Sequence, residues 1–106
     1  QLNGICPNFI HSLDAACLML YLIKCKKAGI CAFMTVHDCY GTHASDTETS
    51  AVLLREAFVE IYEQPILENF TEDIIQEIEE EIDLPDLPLQ GELDIKEVLH
   101  SNYFFN

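Results

Sequence analysis

The stretch from Ile30 to Thr42, ICAFMTVHDCYGT, constrains the fold of this chain more than any other. Ile30 to Val36 is β-branched and aromatic enough for a buried strand, and Tyr40-Gly41-Thr42 begins a second one. Between them the apolar run stops on His37, Asp38 and Cys39, which places three reactive side chains at a tight turn. Upstream lies a long helical pattern. Asn8 and Ser12 are candidate N-caps, and the helix is expected to run to about Lys27, ended by Ala28-Gly29. Lys24, Lys26 and Lys27 fall in its last turn, where positive charge suits the helix dipole. Its middle, Ala15 to Ile23, is apolar almost all round, so burial on more than one side is expected.

Downstream of the hairpin, Ser45, Asp46 or Thr49 caps a second helix reaching about Gln64, with Ala51, Leu54, Phe58 and Ile61 as its apolar stripe. Pro65 suits the first turn of a third helix, roughly Ile66 to Ile82. There Leu67, Phe70, Ile74, Ile75, Ile78 and Ile82 recur at three- and four-residue spacing. Glu68, Glu72, Asp73, Glu77, Glu79, Glu80 and Glu81 occupy the other face, which reads first as a solvated surface and second as a metal- or partner-binding one. Leu84-Pro85-Asp86-Leu87-Pro88 is expected to be an extended linker up to Gly91. Asp94 caps a short last helix, Ile95 to about His100. The aromatics Tyr103, Phe104 and Phe105 either fold back on the body or insert into a larger assembly, since free they would expose apolar surface. The pattern is α+β: mainly helical, with one small antiparallel β-hairpin too small to stand alone.

A chain of 106 residues, 49% of them hydrophobic, suffices for one domain with one modest core and argues against disorder. The longest uninterrupted apolar run, Ala15 to Ile23, is under half a bilayer span, so no transmembrane helix and no membrane partner are expected. The first residues, QLNGICPNF, lack the segments of a signal peptide, and the start on Gln1 rather than Met suggests a piece of something longer. Cys6, Cys17, Cys25, Cys31 and Cys39 form no close pair, unlike a disulfide scaffold or a zinc ribbon. Cys17 and Cys25 in a helical pattern and Cys31 in a strand read as buried, reduced, inert thiols of an intracellular protein. The net charge of −14 is unevenly spread. Residues 1–50 set three lysines against four acids, whereas residues 51–106 set Arg55 and Lys96 against fifteen. Alone, such a chain should repel nucleic acid, because phosphate binding needs clustered Lys and Arg.

Three chemistries fit the turn. Cys39 could act as a nucleophile with a histidine base, but adjacent strand residues face apart and no cysteine-protease signature surrounds it; His11, His43 or His100 would have to serve instead. Zinc could bind His37, Cys39 and His43, although the paired close ligands of structural sites are missing. Asp38 could hold a hard divalent metal: magnesium takes one or two carboxylates plus phosphate oxygens, and a turn projects its carboxylate rigidly into solvent. Turns favour Asp in any case, so local chemistry leaves a purely structural role open.

Wider motifs go further. Pro7-Asn8-Phe9-Ile10-His11-Ser12-Leu13-Asp14-Ala15, then Val36-His37-Asp38-Cys39, then Thr42-His43-Ala44-Ser45-Asp46, and the ending Tyr103-Phe104-Phe105 plus one residue resemble the single-subunit, phage-type DNA-directed RNA polymerases. The His-Asp-Cys wording and the aromatic ending are closer to the mitochondrial branch. Residues 68–91 match more loosely, and Cys17 stands where the family usually has histidine, which suggests packing at that position. The resemblance implies a palm hairpin over residues 30–43, within a palm segment 1–83, followed by a linker, short helix and C-terminal foot over 84–106. It implies that Asp38 is one of two catalytic aspartates binding two Mg2+ ions, which activate the RNA 3′ hydroxyl and stabilise charge on the α-phosphate and leaving pyrophosphate. His37 would lie beside that site against the primer strand, and His11 near the nascent base pair. The implied partners are the rest of the polymerase chain, DNA template, nascent RNA and nucleoside triphosphates. In the family the second aspartate, the triphosphate-binding basic residues and the nucleotide-selecting tyrosine lie upstream, so the 106 residues alone are expected to be inert. A non-enzymatic acidic interaction domain and a piece of a repair-type DNA polymerase are the alternatives; the Pro7-to-Ser12 stretch favours the RNA enzyme. The compartment, mitochondrial or the cytoplasm of a bacterium or phage-infected cell, stays open.

Overall fold

A computed structural model describes residues 4–78 and 84–104. In chain order it contains α1 (Ile5–Lys27), β1 (Phe33–Val36), β2 (Cys39–Thr42), a 3₁₀ turn (Ala44–Asp46), α2 (Thr47–Tyr62), α3 (Ile66–Glu77) and a 3₁₀ helix (Ile95–His100). The mainly helical α+β class with a two-stranded antiparallel hairpin is the one expected.

Helix α1 starts earlier than Asn8 or Ser12 would have it. Gly4 occupies the N-cap without a side-chain bond, Pro7 is accommodated in the first turn, and Ser12 lies inside the helix with its hydroxyl donating to the Phe9 carbonyl at 2.7 Å. The C-terminus is as expected and its cause is visible. Gly29 has φ +86°, Ile30 N–H donates to Cys25 O at 3.0 Å and Gly29 N–H to Lys26 O at 3.2 Å, the Schellman pattern. The turn folds Ile30 back beside Cys25, so both join the core. That capture shortens the first strand: Ile30 is a buried loop residue and β1 begins only at Phe33.

One stripe of α1 is fully buried. Cys17, Tyr21 and Cys25, four residues apart, pack with Ile30 against Leu54 and Ala57 of α2. The small Ala57 side chain, fully buried, leaves room between the two helices. Lys24 secures the edge of the seam with ion pairs to Glu60 at 2.8 Å and Glu56 at 3.7 Å. On the opposite side Ile5, Met19 and Ile23 are exposed, and Ile10, two turns before Cys17 on the same face, is exposed as well, contrary to the expectation of burial on more than one side. By length and composition α1 could cross a membrane, a property the run-length argument missed; here its covered stripe lies on α2.

Asp46 takes the N-cap of α2 without a side-chain bond, because the preceding 3₁₀ turn already sets the helix entry from His43. Leu54 is the buried centre of the predicted stripe, with Phe58 and Ile61 packed at its margin. Pro65 caps α3, one position ahead of the first turn. Helix α3 buries no residue: Phe70 meets Phe9 of α1 at 4.6 Å, while Leu67, Ile75 and Ile78 remain exposed. Ile78 leaves the helix in an extended conformation; Glu79, Glu80, Glu81 and Ile82 lie outside the described residues.

Residues 84–91 have no regular structure, as expected of the linker. Asp94 caps the last helix, its carboxylate accepting from Lys96 N–H at 3.0 Å, though the helix is 3₁₀. This segment folds back on α2. Val98 is buried, Lys96 pairs with Glu63 at 2.9 Å, and Arg55 donates from Nε to Ser101 O at 3.1 Å and from Nη1 to Ala51 O at 2.9 Å. Phe104 meets Phe58 edge-on at 4.7 Å, so the fold-back alternative holds for that aromatic. Tyr103 is 80% exposed, and Phe105 lies outside the described residues.

Candidate active site at the hairpin loop

The register pairs Val36 with Cys39, Thr35 with Tyr40, Met34 with Gly41 and Phe33 with Thr42, leaving a two-residue loop of His37 and Asp38. Such short loops match strand twist by taking positive φ, and His37 does so at 53°. A non-glycine residue there costs roughly 1–2 kcal/mol. His37 is the single non-glycine residue with positive φ among the described residues. Strain of this kind persists only where surrounding structure holds it, and it concentrates at functional sites.

Both loop side chains are exposed. The Asp38 carboxylate accepts from the Cys39 thiol, Sγ to Oδ1 3.8 Å, a weak bond that leaves it open to an incoming cation. Cys39 is thus partnered by a carboxylate, and among the described residues no hydrogen bond supplies it with a histidine base. No group of three or more His, Cys, Asp and Glu side chains that could hold a metal is assembled among the described residues, so His37, Cys39 and His43 do not form a zinc site. His11 projects from the exposed part of α1, a different element from the loop. His37 and Asp38 are neighbours; no hydrogen bond among the described residues joins either to His11.

The cysteines divide unevenly. Cys17 and Cys25 are buried, and burial, reinforced by the Asp14 carboxylate, pushes the Cys17 thiol above its ordinary range, which makes it inert. Cys31 is exposed, against expectation, because the capture of Ile30 leaves its neighbour on the outside.

The contact behind the loop is not legible in the local sequence. Tyr40, two residues after Asp38, meets Tyr21 of α1 edge-on, ring centroids 5.1 Å apart. Tyr21 is fully buried, and its hydroxyl shares a 2.6 Å hydrogen bond with Ser50 of α2. Burial raises the Tyr40 hydroxyl first, and the negative fields of Cys17, Asp14 and Asp38 add to it. An aromatic at the second rung from the loop was the available signal, but strands favour aromatics anyway.

The site is thus an exposed carboxylate on a tight hairpin loop, in a mainly helical α+β fold. The DNA-dependent RNA polymerase model matches residues 1–82. The chain belongs to that family, in its single-subunit, phage-type branch. It is 52% identical, over all 106 residues, to DNA-directed RNA polymerase 2, chloroplastic/mitochondrial, of Arabidopsis thaliana, covering 10% of that protein. Against DNA-directed RNA polymerase 1, mitochondrial, of Arabidopsis thaliana it is 46% identical over the same 106 residues, or 11% of that protein. DNA-directed RNA polymerase 1A of Nicotiana tabacum is 49% identical, and the chain covers 67% of it. The chain thus spans about a tenth of the length of the Arabidopsis relatives it matches.

Proposed function

We propose that these residues supply part of the palm and the C-terminal foot of an organellar DNA-directed RNA polymerase, and that Asp38 is one of its catalytic carboxylates. The observation that carries this reading is the exposed Asp38 carboxylate on a strained two-residue loop, within a chain of this family. Residues 1–83 act as the palm part, and residues 84–106 as linker and foot. The foot assignment is supported by Val98, Ser101 and Phe104 folding back on α2.

One exposed carboxylate fits Mg2+, which binds through one or two carboxylates and fills its other positions with water and phosphate oxygens. Bound there, the ions would supply charge stabilisation and activation of the RNA 3′ hydroxyl for attack on a nucleoside triphosphate. Asp38 contributes one ligand, presented to solvent on the two-residue loop. His37 flanks the site as a donor toward the primer strand, and His11, on the exposed part of α1, meets the nucleotide or nascent pair. DNA template, nascent RNA and nucleotides bind with the rest of the polymerase chain, which also supplies the positive charge that residues 51–106 lack.

On this reading the 106-residue chain, offered Mg2+, template, primer and nucleotides, extends no RNA. In the polymerase carrying this segment, Asp38→Asn drops nucleotide addition to background while template binding persists. Primer extension and gel-shift assays check both. Extension by the isolated chain, or full extension by the Asp38→Asn polymerase, would sink the proposal.

A further inference from the structure

We infer that Tyr40, held edge-on against a Tyr21 that is itself tied to Ser50, is a positioning residue for the Asp38 carboxylate. This rests on the reading of Asp38 as a metal ligand. A two-stranded hairpin has little stability of its own and no fixed direction without an anchor. Phe33, Met34, Val36 and Cys39 are all exposed, so they do not provide one. Tyr40 is the hairpin residue packed against the core cluster, at the second rung from the loop. Its ring meets Tyr21 at 5.1 Å, and Tyr21 is locked in the α1–α2 seam by the 2.6 Å bond to Ser50. A line of contact therefore runs from Ser50 through Tyr21 and Tyr40 to within two residues of Asp38.

The test uses the polymerase carrying this segment, with two readouts: the Mg2+ concentration for half-maximal nucleotide addition, and Mn2+ affinity without turnover by electron paramagnetic resonance. Tyr40→Leu removes the ring and is expected to weaken both by about tenfold, the usual scale for supports of a metal ligand. Tyr40→Phe keeps the ring and restores both to within about twofold, a rescue that loss of folded enzyme would not produce. Should Tyr40→Leu fail to fold, Tyr21→Phe decides, because it keeps both rings but releases Tyr21 from Ser50; weaker Mn2+ binding supports the inference and parental binding overturns it. Parental metal dependence in Tyr40→Leu, or an equal shift in Tyr40→Phe, also overturns it. Asp38→Asn separates the two levels. If that variant keeps parental activity and Mn2+ affinity, the metal-ligand reading fails and takes this inference with it. If it is dead while Tyr40→Leu is parental, the positioning role alone fails.

Discussion

At the scale of single residues, the most informative side chain is Tyr21, buried completely yet polar at its tip. Its bond to Ser50 satisfies both hydroxyls inside the seam, and no buried side-chain polar atom among the described residues lacks a partner. Tyr21→Phe leaves the Ser50 hydroxyl buried without that partner, so a loss of about 1–3 kcal/mol is expected in urea unfolding. The same variant changes the alkaline limb. Burial raises Tyr21 above its ordinary 10.0, and the Glu60 carboxylate raises Lys24 above 10.5. A group whose folded value is raised holds more protons folded than unfolded, so its stabilisation is full below the unfolded value and fades as pH climbs through the folded one. Stability should therefore fall from about pH 10 upward. Tyr21→Phe should make that fall shallower, as melting curves between pH 9 and 11.5, roughly bracketing these values, would show. The place of Asp38 on the loop was legible at this scale because a turn between two apolar runs is local chemistry. The contact of Tyr40 was not, since its ring meets Tyr21 only once the chain has folded.

Among the elements, the α1–β1 junction shows what local sequence can and cannot set. Gly29 ends the helix because φ +86° is open to glycine and strained for other residues, and that was readable from Ala28-Gly29. Gly29→Ala is expected to cost about 1–2 kcal/mol in chemical denaturation, even though no atom lies within 4 Å of the added methyl group. A change below about 0.3 kcal/mol would show that the junction relaxes without strain. The start of β1 was misjudged, because the Schellman turn sends Ile30 into the core before the strand begins. Helix α3 carries the apolar periodicity its sequence predicts, yet none of its residues is fully buried. Periodicity states which face wants a partner and is silent on whether one is present.

For the molecule as a whole, surface area is the telling quantity. A folded monomer of 12.1 kDa should expose on the order of 6,000 Å². This chain exposes 8678 Å². Its radius of gyration, 16.9 Å, likewise exceeds the roughly 13 Å of a compact domain this size. The excess includes the uncovered side of α1, where Met19 is 58% exposed, the α3 stripe and Leu89 at 99%. Such surface marks interaction sites, in keeping with a segment that works against the rest of a polymerase. The isolated chain should accordingly bind the apolar-surface dye ANS, and a polymerase carrying the segment should bind far less per mole of these residues. Absence of dye binding by the isolated chain would show that these apolar faces close on one another in solution.

The sequence by itself determined the class of fold, the place of the loop, the Schellman stop, the Asp94 cap and the family, because each depends on neighbours within a few residues or on ordered motifs. Tertiary structure decided which faces are covered, why Cys31 is outside while Cys17 and Cys25 are inside, and that Phe104 returns to Phe58. It also decided that Tyr40 meets Tyr21, which is itself bonded to Ser50. These outcomes turn on contacts between residues as many as 29 or 46 positions apart, whose energies no local pattern encodes.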